Sequence, residues 1–355
     1  MMALTMAFAG EIAPKETTGR AMGLLGTMSA IGTALGPSLG GMLIAAWSWR
    51  ALFLVNVPLG ILTLLLARHH LPVDRALPKT KRPDFDHGGT LMLALTLGAY
   101  ALAMTLGRGQ FGLGNAMLLC VAAVGVSLFL LIEKRAATPL IRLAMFRDPQ
   151  LSANLAMSGL VSTVVMTTLV VGPFYLSQAL GLNAAHAGMV MSIGPLVAAL
   201  AGVPAGRIAD RLGTQRMIFA GLISIAAGCM LQAMLPMSVS SAGYIAAIVI
   251  ITSGYALFQT ANNTAVMTAI HPDNRGVISG MLNLSRNLGL ITGASVMGAV
   301  FAYAAGANDV TTARPEAVAE GMRFTFAIAA VLIIIVALAV ARMSLFKSSH
   351  ETPPP

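Results

Sequence analysis

The sequence predicts an all-α protein that crosses a lipid bilayer about ten times. Of its 355 residues, 57% are hydrophobic and only 10% are charged, whereas an ordinary soluble domain carries roughly 25% charged residues. Apolar segments of membrane-spanning length recur along the whole chain, and basic residues concentrate in the short loops between them. These observations exclude a soluble enzyme and a disordered protein, because the chain cannot cover itself with a charged surface.

The charge and cysteine content narrow the class further. The formal net charge is +9, but the 22 Lys and Arg residues lie in short loops, which is typical of membrane proteins rather than of a nucleic-acid-binding face. Cys120 and Cys229 both lie inside apolar runs, and two isolated thiols make neither a disulfide framework nor a metal site. We therefore expect the lipid bilayer as a partner, and no nucleic acid, metal or cofactor.

Ten complete spans are predicted, because each apolar run is about long enough to cross a hydrocarbon core of ~30 Å as a helix. Residues 1–10 are interpreted as the cut end of an eleventh helix rather than a signal peptide, since no basic residue precedes them. The predicted spans are Ala21–Trp47, Ala51–Ala67, Gly88–Leu106, Met117–Ile132, Leu151–Leu180, Ala187–Ala205, Met217–Leu235, Ala242–Ile270, Val277–Ala304 and Phe324–Ala341.

The distribution of basic residues predicts the orientation of these spans. If Glu11–Gly19 lies in the cytoplasm, 17 of the 22 basic residues fall on the cytoplasmic side, four fall outside, and Arg286 stays within the membrane. Such a bias favours this orientation under the positive-inside rule. We expect a multi-pass protein of the cytoplasmic (inner) cell membrane, with a cytoplasmic C-terminus.

An internal repeat predicts the domain organisation. Five glycines, at positions 19, 23, 32, 36 and 41, recur 257 residues later at 276, 280, 289, 293 and 298. Two parallel repeats of six spans are the plan of major facilitator transporters. The offset places the start of the first repeat about a hundred residues before Met1, so we expect the first three to four helices to be absent. The expected units are an N-terminal remnant (1–67), a cytoplasmic linker (68–87), two extra spans (88–132), a six-helix bundle (151–341) and a tail (342–355).

A run of small residues in the first predicted span is the sharpest local motif. Glycines four residues apart share one helix face and let a neighbouring helix approach closely. Pro37 lacks an N–H group, so we expect a kink there, whereas Ala294 stands at the equivalent place in the second repeat. A generic small-residue packing seam is the alternative. The motif residues are Gly32, Gly36, Pro37, Gly40 and Gly41.

A second motif lies between two spans of the second repeat and comprises Gly206, Asp210, Arg211, Gly213 and Arg216. Asp210 is placed to meet the positive N-terminal end of the helix that starts near Met217. The arginines would hold the segment at the cytoplasmic face. Ordinary positive-inside anchoring explains the arginines nearly as well, but it does not explain the aspartate.

Together with the segment Trp49–Gly60, these two motifs resemble the 14-helix drug:proton antiporters of the EmrB/QacA type. The small-residue run matches their antiporter signature, and the second motif matches the cytoplasmic loop signature, which by resemblance latches one conformation. The resemblance covers the whole chain. It implies export of hydrophobic, often cationic compounds in exchange for protons by alternating access. It also implies an adaptor protein as a partner in some efflux assemblies.

Polar stripes at helical spacing predict a cavity between the two halves. A charged residue at the centre of a membrane helix costs about 2.5–3.5 kcal/mol on insertion scales, so Arg286 should face a cavity or a partner. Hydrogen bonding between helices of one half is the alternative. The candidates are Tyr255, Gln259, Asn262 and Asn263 on one span, Ser279, Asn283, Arg286 and Asn287 on the next, and the weaker set Asn154, Ser158, Tyr175 and Gln178.

The acidic residues leave the mechanism open. All 13 lie in predicted loops or at helix ends, although a proton-coupled exporter needs a titrating group in the membrane. Either that group belongs to a segment before Met1, which the repeat offset favours, or the protein never had one. The alternatives are an exporter of one metabolite, siderophore or lipid, and a non-transporting remnant or accessory subunit. An intramembrane enzyme is disfavoured because the spans offer no nucleophile with a base and no paired acids.

Overall fold

A computed structural model describes residues 2–70, 86–106, 112–136, 139–236, 240–306 and 313–350. Within these ranges every regular element is a helix, and none is a strand. The α-helices are α1 (Met2–Ile12), α2 (Thr18–Ala46), α3 (Trp49–His70), α4 (His87–Thr105), α5 (Leu113–Arg135), α6 (Pro149–Phe174), α7 (Ala184–Leu212), α8 (Thr214–Met234), α9 (Ser240–Ala269), α10 (Arg275–Thr292), α11 (Gly298–Ala304) and α12 (Pro315–His350).

The predicted all-α membrane fold is confirmed. Nine helical segments in the described ranges are long and apolar enough to cross a membrane, and each coincides with a predicted span. The remaining predicted span, Ala21–Trp47, corresponds to the 29-residue helix α2. Short π-helical turns extend α6 over Tyr175–Ala179 and join α10 to α11 over Gly293–Met297, so both long predicted spans are continuous.

The segments outside the predicted spans differ from expectation in two places. The linker expected at 68–87 lies mostly outside the described residues. Helix α3 continues to His70, and the next described residue is Asp86. At the other end, α12 extends to His350, so the tail expected from residue 342 begins as helix. The final residues, 351–355, also lie outside the described residues.

Local sequence explains several helix ends. Asp86 caps α4 by accepting the Gly89 N–H at 2.8 Å, and Asp148 caps α6 by accepting the Gln150 N–H at 2.8 Å. The Asn183 side chain accepts the His186 N–H at 2.9 Å at the start of α7. Gly213, with φ +86°, is the whole connection between α7 and α8. A positive φ is accessible to glycine because it has no Cβ, so this tight junction depends on that residue.

Two apolar clusters organise the packing. The larger one is formed by residues of α6, α7, α8, α9, α11 and α12. The smaller one contains Met6 of α1 and Met22 of α2, packed with Leu155 of α6, Met267 of α9 and Met281 of α10. It therefore links α1 and α2 to α6, α9 and α10. The two extra spans, α4 and α5, pack on each other, and the Tyr100 hydroxyl of α4 hydrogen-bonds Thr292 of α10.

A candidate transport cavity between the two repeats

Helices α2 and α7 cross with their backbones in contact. A Cβ placed on Gly206 of α7 would lie 2.9 Å from both the Arg20 Cα and the Gly19 carbonyl carbon, atoms of the α2 backbone. A Cβ on Gly202 would lie 2.8 Å from the carbonyl oxygen of Gly23. Two glycines four residues apart on each helix therefore form the seam, which is the small-residue packing that membrane helices use.

Asp210 ties the same two helices together at one end of the crossing. Its carboxylate accepts the Gly19 N–H at 2.8 Å and the Arg20 N–H at 2.9 Å. These are orphan backbone donors of the first turn of α2, where the helix dipole also favours a negative charge. The expectation that Asp210 meets the helix starting near Met217 is wrong. The carboxylate binds the N-terminus of α2, about 190 residues earlier in the chain.

The second motif is also more helical than expected. Gly206, Asp210 and Arg211 belong to the last two turns of α7, which ends at Leu212, and Arg216 lies in the first turn of α8. Only Gly213 stands between the two helices. The helical backbone of α7 therefore holds Asp210 one turn beyond Gly206, which packs on α2. This spacing explains how one motif supplies both the close crossing and the cap.

A cavity of about 310 Å³ borders this crossing at Gly202. It lies between α1 and α2 on one side and α6, α7, α9 and α10 on the other. Its walls are mainly apolar and include the methionines Met2, Met6, Met22 and Met191. Methionine side chains are flexible and polarizable, so such walls adapt to ligands of different shape. Volume and lining are those of a small-molecule site.

Four of the twelve candidate residues line this cavity. Ser279 does not, and its hydroxyl donates to the Gly276 carbonyl oxygen at 2.9 Å. Tyr255, Gln259 and Asn263 project from one face of α9, and Arg286 projects from α10. Both helices also contribute apolar neighbours, so the polar groups form a narrow strip on an apolar wall. Ser29 of α2, which is the repeat equivalent of Arg286, lines the opposite side.

Asn262 and Asn154 instead fulfil the alternative prediction of hydrogen bonding within one half. The buried Asn262 side chain donates its Nδ2 to the Asn154 carbonyl oxygen at 3.3 Å, which links α9 to α6. Asn154 borders a separate pocket of about 130 Å³ beside Gln150 and Thr214. Adjacent residues of a helix point about 100° apart, which separates Asn262 from Asn263.

The other candidates also lie away from the walls of the described cavity. Tyr175 is buried and stacks on Tyr244, with ring centroids 5.9 Å apart. The Ser158 carbonyl accepts the Ser162 hydroxyl at 2.7 Å. The remaining ones are Gln178, in the π-helical turn after α6, and Asn283, whose Oδ1 accepts the Nδ2 of the exposed Asn287 at 3.1 Å.

The small-residue motif of α2 is only partly described. Gly32 lies in α2, and a Cβ there would meet nothing within 4 Å. Gly36, Pro37, Gly40 and Gly41 belong to the same helix, but their side-chain surroundings lie outside the described residues. The kink expected at Pro37 and the packing seam therefore stay predictions.

Apolar, membrane-length helices that surround a methionine-rich cavity are typical of membrane transport proteins. The sequence profile described as Major Facilitator Superfamily matches residues 1–294, and the chain belongs to this family. Its members are transport proteins rather than enzymes.

Individual relatives agree. The chain is 31% identical over 299 residues to the uncharacterized transporter YebQ of Escherichia coli, covering 84% of this chain and 65% of YebQ. It is 31% identical over 290 residues to the multidrug resistance protein Stp of Mycobacterium tuberculosis, covering 80% of this chain and 52% of Stp. The chain thus spans about half to two thirds of the length of these relatives.

Solved structures support the fold. The human organic anion transporter MFSD10 superposes with a TM-score of 0.61 at 16% identity, covering 96% of this chain and 67% of MFSD10. A single-substitution mutant of the nucleoside transporter NupG superposes with a TM-score of 0.51 at 15% identity, covering 96% of this chain and 86% of NupG. At this identity the likeness concerns the fold alone.

Proposed function

We propose that this chain is the cavity-bearing part of an exporter that moves apolar small molecules across the cell membrane by alternating access. The observation that carries the proposal is the methionine-rich cavity between helices of the two repeats. A site at the boundary between repeats is exposed to either side when the repeats rock against each other. Small apolar compounds suit its size and its walls.

The contact of Asp210 with α2 is the proposed latch of this cycle. It joins the first turn of α2 to the last turn of α7, so the two helix ends cannot separate while it persists. Rocking of one repeat against the other requires these two hydrogen bonds to break. A charge-assisted contact at the end of a helix can open and re-form, because water can replace both partners once the helix ends separate.

Finer parts of the proposal rest on the resemblance and on the distribution of charge. They are the 14-helix subfamily, coupling to protons, a cytoplasmic C-terminus and residence in the inner membrane. The names of relatives support drug export in particular, since Stp is a multidrug resistance protein and JefA of Mycobacterium tuberculosis, 31% identical, is a drug efflux pump. RibZ of Clostridioides difficile, 26% identical, is named a riboflavin transporter, which supports the single-substrate alternative.

Transport by the purified protein tests the proposal. The protein is reconstituted in liposomes with an acidic interior, and uptake of radiolabelled naphthalene-2-sulfonate and of ethidium is followed. We expect one or both compounds to accumulate above protein-free liposomes, and a protonophore to abolish the accumulation. Equal uptake with and without protein would contradict the exporter and favour the non-transporting remnant. Uptake that ignores the pH gradient would contradict only the coupling to protons.

A further inference from the structure

Arg286 is a charge without a matching partner in the described cavity. Its Nη1 lies 3.6 Å from the sulfur of Met2, and its Nε is buried with no hydrogen-bond acceptor in the described ranges. A thioether sulfur is a weak acceptor, whereas a guanidinium presents five donors in a fork that matches an oxyanion. The position is therefore one in which an anionic group would complete the hydrogen bonding.

Arg286 lies far from both ends of the continuous helical segment Arg275–Ala304. It lies eleven residues into α10, or about 16 Å along the helix. Its neighbour Met2 lies ten residues from the end of α1, or about 15 Å, so both helices give the same depth. Arg286 therefore lies well inside the membrane-length segment Arg275–Ala304, and a charge within such a segment marks a functional site by default.

The charge of the described cavity lining is positive. Among the described residues that line it, Arg286 alone carries a charge, and its polar neighbours Tyr255, Gln259 and Asn263 are neutral. Along the sequence, the 13 acidic residues all lie in loops or near helix ends. Because low-dielectric walls focus the field of a charge, the described part of the lining favours an anion over a cation beside Arg286.

We infer that the cavity binds apolar molecules that carry one negative charge, such as an aryl sulfonate or carboxylate, with Arg286 as the charge partner. The ring system packs among Met6, Met22 and Met191, and sulfur–aromatic contacts are favourable there. This substrate class is opposite in charge to the cations that the resemblance implies. The inference rests on the proposed function, because it names the substrate of that same cavity.

A matched set of probes on one ring system tests the inference. The probes are naphthalene-2-sulfonate, the neutral naphthalene-2-sulfonamide and the permanent cation (2-naphthylmethyl)trimethylammonium. Binding of each to the purified protein is measured by titration calorimetry in nanodiscs of phosphatidylcholine, which carry no anionic lipid headgroup. We expect the sulfonate to bind at least tenfold more tightly than either of the other two probes.

Substitutions at Arg286 identify the charge partner. We expect Arg286→Gln to abolish the tenfold preference, and Arg286→Lys to keep part of it, since lysine preserves the charge but not the fork. Asn263→Ala is the matched control, for which the three affinities change together and the preference stays. Thermal unfolding of each variant shows whether the fold is retained. If Arg286→Gln does not fold, the result with Arg286→Lys tests the inference instead.

Several results would overturn the inference. They are equal binding of all three probes, tighter binding of the cation, absence of binding by any probe, and a sulfonate preference that survives in Arg286→Gln. Binding needs no transport, so failed liposome uptake with intact sulfonate preference contradicts the exporter alone.

Discussion

Helices α2 and α10 carry the same glycine spacing but make different contacts. In α2, Gly23 faces the backbone of α7, and a Cβ there would overlap the carbonyl oxygen of Gly202 and lie 3.2 Å from its carbonyl carbon. In α10, the equivalent Gly280 has nothing within 4 Å. Further along, Gly289 of α10 packs on the backbone of Gly159 in α6, whereas its counterpart Gly32 in α2 faces open space.

The two helices also differ at their N-termini. The first turn of α2 donates two N–H groups to Asp210, whereas α10 begins at Arg275 with no side-chain cap. A glycine pattern therefore shows which helix face permits close approach, but the partner helix decides whether the approach occurs. The α2–α7 crossing is the point where the repeats meet most closely, and the predictions below test whether it holds them together.

The largest effect is expected from Gly23→Ala. The added methyl group meets backbone atoms of α7 that cannot rotate away, so we expect the free energy of unfolding to fall by about 1–3 kcal/mol. Unfolding in SDS titrations measures the change. If Gly23→Ala were as stable as the unaltered protein, the backbone contact between α2 and α7 would be absent in solution.

A smaller loss is expected from Asp210→Ala, which removes the cap of α2. Losing an N-cap acceptor costs about 0.5–2 kcal/mol, and this residue accepts two N–H groups. The same SDS titration measures the loss. The matched control is Asp273→Ala, since the Asp273 side chain is 87% exposed and its carboxylate lies 3.3 Å from the exposed His271 ring. Equal stability of the two variants would show that Asp210 does not cap α2.

The opposite sign is expected at the repeat equivalent of Gly23. Gly280→Ala adds a methyl group to open space in a helix interior, so we expect an unchanged free energy of unfolding or a gain of up to about 1 kcal/mol. Circular dichroism melts in detergent compare the variant with Gly23→Ala. A loss as large as that of Gly23→Ala would mean that another helix packs on this face of α10.

The smallest effect is expected from Tyr100→Phe, which removes the hydrogen bond from the α4–α5 pair to Thr292 of α10. Hydrogen bonds between membrane helices average about 0.6 kcal/mol. Tyr303→Phe is the control, because Tyr303 is 84% exposed. Thermal melts should separate the two variants by this small margin, and a larger loss in the control would contradict the assignment of the contact.

Hydropathy predicted the spans because apolar runs of this length have one stable form in lipid. Sequence periodicity placed Tyr255, Gln259 and Asn263 on one face, and the cost of a buried charge placed Arg286 at a cavity. Sequence patterns could not identify the partner of Asp210, because that partner lies about 190 residues away in the chain. Sequence patterns also did not assign Met2, Met6 and Met22 to the cavity, because the position of a methionine in an apolar helix does not indicate whether it faces lipid, another helix or a cavity.

The most direct test of the account is the distance between the two helix ends that Asp210 joins. Spin labels at Glu16→Cys before α2 and Gln215→Cys in α8 report it by double electron–electron resonance, in a background where the exposed Cys120 is replaced by alanine. The account predicts one dominant short distance, and an added longer population in Asp210→Asn but not in Asp273→Asn. Identical distance distributions in all three proteins would contradict the latch.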